Sequence, residues 1–232
     1  MSGLRSWTLG LAATVAAVVV SYYWLDRPIA LFVHAHEHYH YLFRRLTLIP
    51  EALAVLSLVV FLVLAFCALA GRRLARFPTV LMLCGTSLAV AVAIKDLLKY
   101  AFGRTWPETW SPFYPSFLGN GTYGFFPFHG GGAYESFPSG HATMACTVMT
   151  VLWICYRRFR PLYALCMVAA SVGLVGANFH FLGDVIAGSF LGISAGSLGV
   201  AVWEMGERHL RLEKPAGAPV SSAPVSSVQR TD

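Results

Sequence analysis

Charge is what this sequence has least of: Lys, Arg, Asp and Glu together supply 12% of its 232 residues, about half the share of an ordinary globular domain. With 56% hydrophobic residues, that scarcity excludes a soluble domain of standard make-up, and no stretch between the apolar runs is long enough to form one. Cysteine is sparse too. The five, at 67, 84, 146, 155 and 166, all fall inside apolar runs without CxxC spacing, which leaves them as packing residues that say nothing about redox compartment. No small-residue cleavage site follows "SYYWLD" at 21–26, so the first apolar run is expected to stay as a helix and not to be removed as a signal. No fixed-period repeat is visible. No lysine follows the glycines of "FHGGGAYE" at 128–135, which therefore reads as a flexible loop and not as a phosphate-binding loop.

What the sequence does have is apolar length. Six runs, at about 7–25, 51–70, 78–98, 138–156, 162–181 and 184–203, each approach the ~20 residues that cross a ~30 Å hydrocarbon core. The expectation is an all-α integral membrane bundle of six transmembrane helices over 1–204. A cytoplasmic, disordered tail over 205–232 should follow, rich in Pro, Ala, Ser and Val. Basic residues crowd "GRRLAR" at 71–76, "YRRFRP" at 156–161 and the stretch from Arg208 to Lys214, which places those connections and both termini in the cytoplasm. The connections 26–50 and 99–137 and the turn from His180 to Asp184 then lie outside, despite "DR" at 26–27 and "RR" at 44–45. On this reading the net charge of +6 reflects topology and contact with anionic membrane lipid, and nucleic acid is not a partner.

Polar residues inside or at the rim of membrane helices are costly and mark functional positions. They gather at three places: Lys95, Asp96, Lys99 and Arg104 in "KDLLKYAFGRTWPETW", Ser139, Gly140 and His141 in "FPSGH", and His180 and Asp184 in "NFHFLGD". All three fall at the face opposite the cytoplasmic arginines. Lys95, Lys99 and Arg104 suit anion binding. Pro138 starts a helix whose leading amides, with Ser139, offer further donors, while Gly140 lets a ligand approach the backbone. His180 and Asp184, four apart, would share a helix face, the aspartate fixing the imidazole tautomer and leaving Nε2 as nucleophile. His141 would protonate a leaving oxygen. Together these make a metal-free phosphoryl-transfer site.

Plainer readings exist for each residue: Lys95 and Lys99 as snorkelling cations, Ser139 and Asp184 as helix caps, His141 as a structural histidine. The run "HAHEHYH", holding His34, His36, His38 and His40, reads as an interfacial helix in preference to a metal site. Trp106, Trp110, Phe113 and Tyr114 read as interface anchors.

The three clusters resemble the type 2 phosphatidic acid phosphatase family. Its pattern is a lysine, six residues and Arg-Pro, then Pro-Ser-Gly-His, then Ser-Arg, five residues, His, three residues and Asp. "PSGH" at 138–141 matches outright, as do His180 and Asp184, and the likeness covers about 95–204. Two positions depart: Trp106 stands where the motif arginine belongs, before Pro107, and Gly173 and Leu174 replace the later Ser-Arg. Arg104 resembles an extra arginine that many members carry two positions earlier. The resemblance implies that His180 forms a phosphohistidine, Asp184 orients it and His141 protonates the leaving group, while Lys99, Arg104, Ser139 and Gly140 hold phosphate, with Lys95 added from its place in the cluster. It implies no cofactor, a lipid phosphate or pyrophosphate substrate, and a bacterial-type inner membrane with the site facing the periplasm. Soluble haloperoxidases share the motifs, but not so apolar a chain. Three other readings stand beside hydrolysis: a degenerate binding or scaffold member, a lipid phosphotransferase, and a small transporter with a relay through Lys95, Asp96 and His180.

Overall fold

The apolar runs fold as helices packed into a single bundle. The computed structural model describes residues 2–36, 40–109, 111 and 113–213, so the readings made on His38, Trp110 and the tail 214–232 fall outside the described residues. In chain order the helices are α1 (Ser2–Val20), a five-residue π-helical segment (Ser21–Leu25), α2 (Asp26–Ala35), α3 (His40–Leu69), α4 (Arg76–Phe102), the short α5 (Phe117–Asn120), α6 (Gly140–Cys155), α7 (Arg160–Gly176) and α8 (Leu182–Glu213). Five runs are long and apolar enough to cross a membrane: Gly3–Ala35, Tyr41–Leu69, Arg76–Phe102, Arg157–Gly176 and Leu182–His209. The chain is thus a multi-pass membrane protein. The sixth expected span is α6, whose 16 residues reach only ~24 Å at 1.5 Å per residue. It is also the most enclosed helix, packed by α3, α4, α7 and α8, with Ala145, Thr147, Val148 and Val151 buried along it.

Two boundaries differ from the sequence expectation. The first helix does not stop near residue 25 but continues through the π segment to Ala35, because the backbone turns on without a break at Leu25. The last helix runs through Glu213, into the stretch expected as tail. Large apolar side chains such as Leu56, Leu62 and Phe66 are exposed on α3, the outward face that a bilayer would solvate.

The tightest contact in the bundle is between α6 and α8, and its cause lies in a four-residue repeat of glycine. A Cβ added at Gly188 would sit 2.4 Å from the carbonyl oxygen of Ser139, at Gly192 2.4 Å from that of Thr143, and at Gly196 2.7 Å from that of Thr147. One stripe of α8 therefore lies backbone against backbone on α6, the small-residue packing that membrane helices favour. The connection between α4 and α6 is not a loose loop. Gly103, at φ +54, turns the chain out of α4 where any Cβ would strike the Phe126 carbonyl. Main-chain hydrogen bonds then pin it: Phe126 to Gly103 (2.6 Å), Phe117 to Trp106 (3.0 Å) and Ser136 to Arg104 (3.1 Å). The result is a folded cap over the end of the bundle where α6 and α8 begin.

Gly192→Leu is expected to destabilise the bundle by at least about 1–3 kcal/mol through overpacking. Gly206→Leu, on the same helix but with open space around it, should be neutral within about 0.5 kcal/mol. Unfolding of the two variants in detergent micelles checks the contrast.

Candidate active site

The site lies at the cap end, where the chain leaves α4, enters α6 and joins α7 to α8. His180 is in the short link before α8 and is buried, and Asp184 is in the first turn of α8 and wholly buried. The two therefore do not share a helix face, as the spacing suggests, but meet across a helix start. His180 Nδ1 is 3.6 Å from Asp184 Oδ2, within ion-pair range but longer than a hydrogen bond. The same carboxylate oxygen accepts the backbone N–H of Phe181 at 3.0 Å, so Asp184 also caps α8. Ser136, which sequence reasoning passed over, fills the gap: its hydroxyl donates to Asp184 Oδ2 at 2.5 Å and lies 3.5 Å from His180 Nδ1. Burial, opposed by Asp184, holds the His180 imidazole below its ordinary pKa of 6.5, because the charged form loses hydration it cannot fully recover.

Facing His180 is His141, in the first turn of α6, with ring centroids 6.4 Å apart. His141 Nε2 contacts Glu51 Oε1 of α3 at 3.2 Å, a second imidazole–carboxylate pair that the sequence did not announce. The lysines of α4 lie alongside. Lys95 stretches over Gly140, whose absent Cβ would sit 3.2 Å from Lys95 Cδ, and its Nζ is 2.5 Å from Asp96. Lys99 Nζ donates to the Glu135 carbonyl at 2.7 Å and sits 5.6 Å above the Trp106 ring. Trp106 in turn leans on His180, rings 5.0 Å apart, and donates its indole N–H to the Gly132 carbonyl at 2.6 Å.

Two expected phosphate ligands are placed differently. Ser139 is wholly buried; its hydroxyl accepts the Ala142 N–H at 3.4 Å as the N-cap of α6, and its own N–H donates to the Asp184 carbonyl at 3.0 Å. Arg104 does not face His141 and the lysines. It is fully buried, with Nη1 donating to Asp184 Oδ1 at 2.5 Å and Nη2 to Asp26 Oδ2 at 2.6 Å, inside a ring of Phe181, Phe125, Tyr22 and Tyr123. Burial alone would lower its pKa, but Asp184 and Asp26 more than offset that and hold it above the ordinary arginine value. A guanidinium sealed in this way is committed to the two carboxylates. Leu174, at the other missing arginine position, is buried in the core. Lys95, Lys99, Gly140, His141 and His180 are thus brought together, while Asp184, Ser139 and Arg104 form the layer behind them.

Beside this site an apolar groove of about 520 Å³ opens on the bundle's flank between α1, α4 and α8. Leu11, Val15, Phe102, Phe137 and Phe190 wall it, and it reaches Pro138, next to Ser139.

A family model of the PAP2 superfamily matches residues 80–207. Among curated proteins the chain is similar to a lipid A 1-phosphatase of Rhizobium etli, 31% identical over 107 residues, which are 46% of this chain and 43% of that protein. It is likewise similar to a lipid A 1-phosphatase of Rhizobium johnstonii, 32% identical over 99 residues, 43% of this chain and 38% of that protein. The chain spans less than half the length of either relative. Among solved structures it resembles a transmembrane PAP2-type phosphatidylglycerolphosphate phosphatase from Bacillus subtilis, with a TM-score of 0.53 at 18% identity over 88% of this chain and 98% of that one. At that identity the likeness bears on the fold.

Ser136→Ala is expected to cost about 1.5–3 kcal/mol, the range for a hydrogen bond to a charged group. Ser139→Ala should cost the ~0.5–2 kcal/mol of a lost helix cap. Thermal unfolding in micelles measures both.

Proposed function

This chain belongs to the PAP2 superfamily, whose model covers more than half of it, and we propose that it removes phosphate from a lipid phosphate or pyrophosphate at one face of the membrane. The observation that carries the reading is the pair of imidazoles, brought from two separate elements to 6.4 Å, with a carboxylate behind one and two lysines beside them. In the proposed reaction His180 Nε2 attacks phosphorus as the bond from phosphorus to the lipid oxygen breaks. His141 gives its proton to that oxygen, releasing the alcohol or, from a pyrophosphate, the shorter phosphate. Water then attacks the phosphohistidine, His141 takes the proton back, and the N–P bond breaks to free inorganic phosphate.

Asp184, through Ser136 and directly, holds Nδ1 so that Nε2 faces the substrate. Lys95 and Lys99 supply positive charge, and the leading amides of α6 at Gly140 and His141, which have no partner within the helix, supply donors for the equatorial oxygens. Ser139 sets that turn in place. None of these steps calls on a metal. The apolar groove next to Pro138 favours a substrate with acyl chains, and the names of the curated relatives make a lipid A 1-phosphate the first compound to try. The arginines at 72, 73, 76, 157, 158 and 160 lie at the opposite end from the site. By the positive-inside rule that end is cytoplasmic and the site faces the periplasm; a bacterial-type inner membrane is what the family resemblance implies.

A second reading has a specific observation in its favour. Trp106 and Leu174 leave the pocket without either motif guanidinium, each worth about 1.5–3 kcal/mol as a contact to phosphate, which fits a member that binds a lipid phosphate without turning it over.

Phosphate release from a panel of lipid phosphates and pyrophosphates, with a chelator present, separates the two. His180→Ala should lower kcat by about a thousandfold or more, and His141→Ala by about 10²–10⁴-fold. Equal rates in wild type and His180→Ala would favour the binder.

The acid limb of kcat/KM should lie below pH 6.5, the ordinary imidazole value. A nucleophile must be neutral, and a lowered pKa keeps His180 neutral further into acid. A pH–rate profile reads the limb directly.

A further inference from the structure

The helix run that carries Asp26 lies outside the residues matched to the family, yet its carboxylate is sealed inside the site. Asp26 is 1% exposed. It accepts the Ser21 hydroxyl at 2.6 Å, the Gly183 N–H at 3.0 Å and Arg104 Nη2 at 2.6 Å, with the Tyr123 hydroxyl at 3.3 Å. It follows directly on the π-helical segment Ser21–Leu25, and such single turns recur at functional positions. Gly183 makes room for it: a Cβ there would lie 3.3 Å from Asp26 Oδ2 and 3.4 Å from Arg104 Nη1.

Arg104 takes Asp184 with one nitrogen and Asp26 with the other, while its Nε has no partner among the described residues. Paired with Asp184 alone, the guanidinium would cancel the carboxylate's charge, and His180 would face a neutral pair. Two carboxylates on one guanidinium leave a net charge of −1 in a water-excluded place, where it acts strongly on its neighbours. The groups around His180 are Asp184 from α8, Lys99 from α4, His141 from α6, and Ser136 and Trp106 from the cap. Lys99 and His141 oppose positive charge on the His180 ring and Asp184 favours it, so a group that offsets the arginine's pull on Asp184 strengthens that partner.

We infer that Asp26 is a positioning residue for the reaction, acting on His180 through Arg104 and Asp184: it offsets the arginine's charge and so keeps Asp184 an effective partner for His180 Nδ1. This rests on the reading of His180 as nucleophile and makes the N-terminal helix run part of the site. It also gives Arg104 a different place from a phosphate ligand.

The test uses the full chain in detergent micelles. The His180 titration is followed by NMR with isotope-labelled histidine, its resonance assigned by its loss in His180→Ala, in wild type, Asp26→Asn, Arg104→Gln and the double variant. On the same samples kcat and KM for lipid A 1-phosphate are measured against pH. Asp26→Asn should move the midpoint, and the acid limb with it, to lower pH by about one unit, and should lower kcat about tenfold with KM held within about twofold. Arg104→Gln should move the midpoint to higher pH, and the double variant should return it towards wild type. A merely structural Asp26 would lower yield and amplitude without these opposite shifts. A midpoint unmoved in folded Asp26→Asn, or moved in the same direction by both single variants, overturns the inference. If Asp26→Asn does not fold, the double variant must titrate below Arg104→Gln, and failure to do so overturns it equally. Absence of phosphate release in wild type would sink the hydrolase reading, while the titration would still decide the role of Asp26.

Discussion

The structure turns on one buried cation. Arg104 is fully buried, so it is tolerable inside the protein only with carboxylates in hydrogen-bonding contact, and breaking such a cluster on one side costs about 3–5 kcal/mol. The requirement reaches well beyond the residue. It draws the junction of α1 and α2 inward through Asp26, fixes the start of α8 through Asp184, and anchors the cap, whose main chain passes through Arg104 itself and returns at Ser136. Three parts of the chain that are distant in sequence are held to one point, and the link containing His180 is tied to that point through Asp184.

A second constraint, the glycine stripe of α8, acts on the other side of the site. Backbone contact at Gly188 brings α8 against Ser139, the residue that caps α6, and Ser139 returns a hydrogen bond to the main chain of Asp184. The short α6 follows from this: its start is set by what it must meet at the site, not by the thickness of a bilayer. Side chains on two helices are thereby ordered by contacts between backbones, which vary less than contacts between side chains.

Much of this was legible in the sequence. Apolar run length is a local property, and it revealed the helical bundle and the six segments. The three polar clusters stood out because polar residues are costly in that setting, and their placement at one end followed from counting spans. What escaped notice depends on where helices lie relative to one another. Asp26 reads as an awkward acid beside an arginine until Arg104 is seen against it. Ser136 is one more serine in a loop until Asp184 lies 2.5 Å away. Glu51 looks like the polar start of a span until His141 faces it. The repeat of Gly188, Gly192 and Gly196 stood in the sequence but was not read there, and nothing local shows which helix it would meet. Arg104 was legible as important and misread in its direction, since spacing shows that a cation is near a site but not which way its side chain turns.

The backbone contact between α6 and α8 has a bearing on how far the two imidazoles can part. One is mounted just past Ser139 and the other just before the helix that holds Gly188, so the distance between their attachment points is set by main chain lying on main chain and does not answer to a change of rotamer. Substitutions in the cap or along the flank groove alter what surrounds the pair and leave that distance in place.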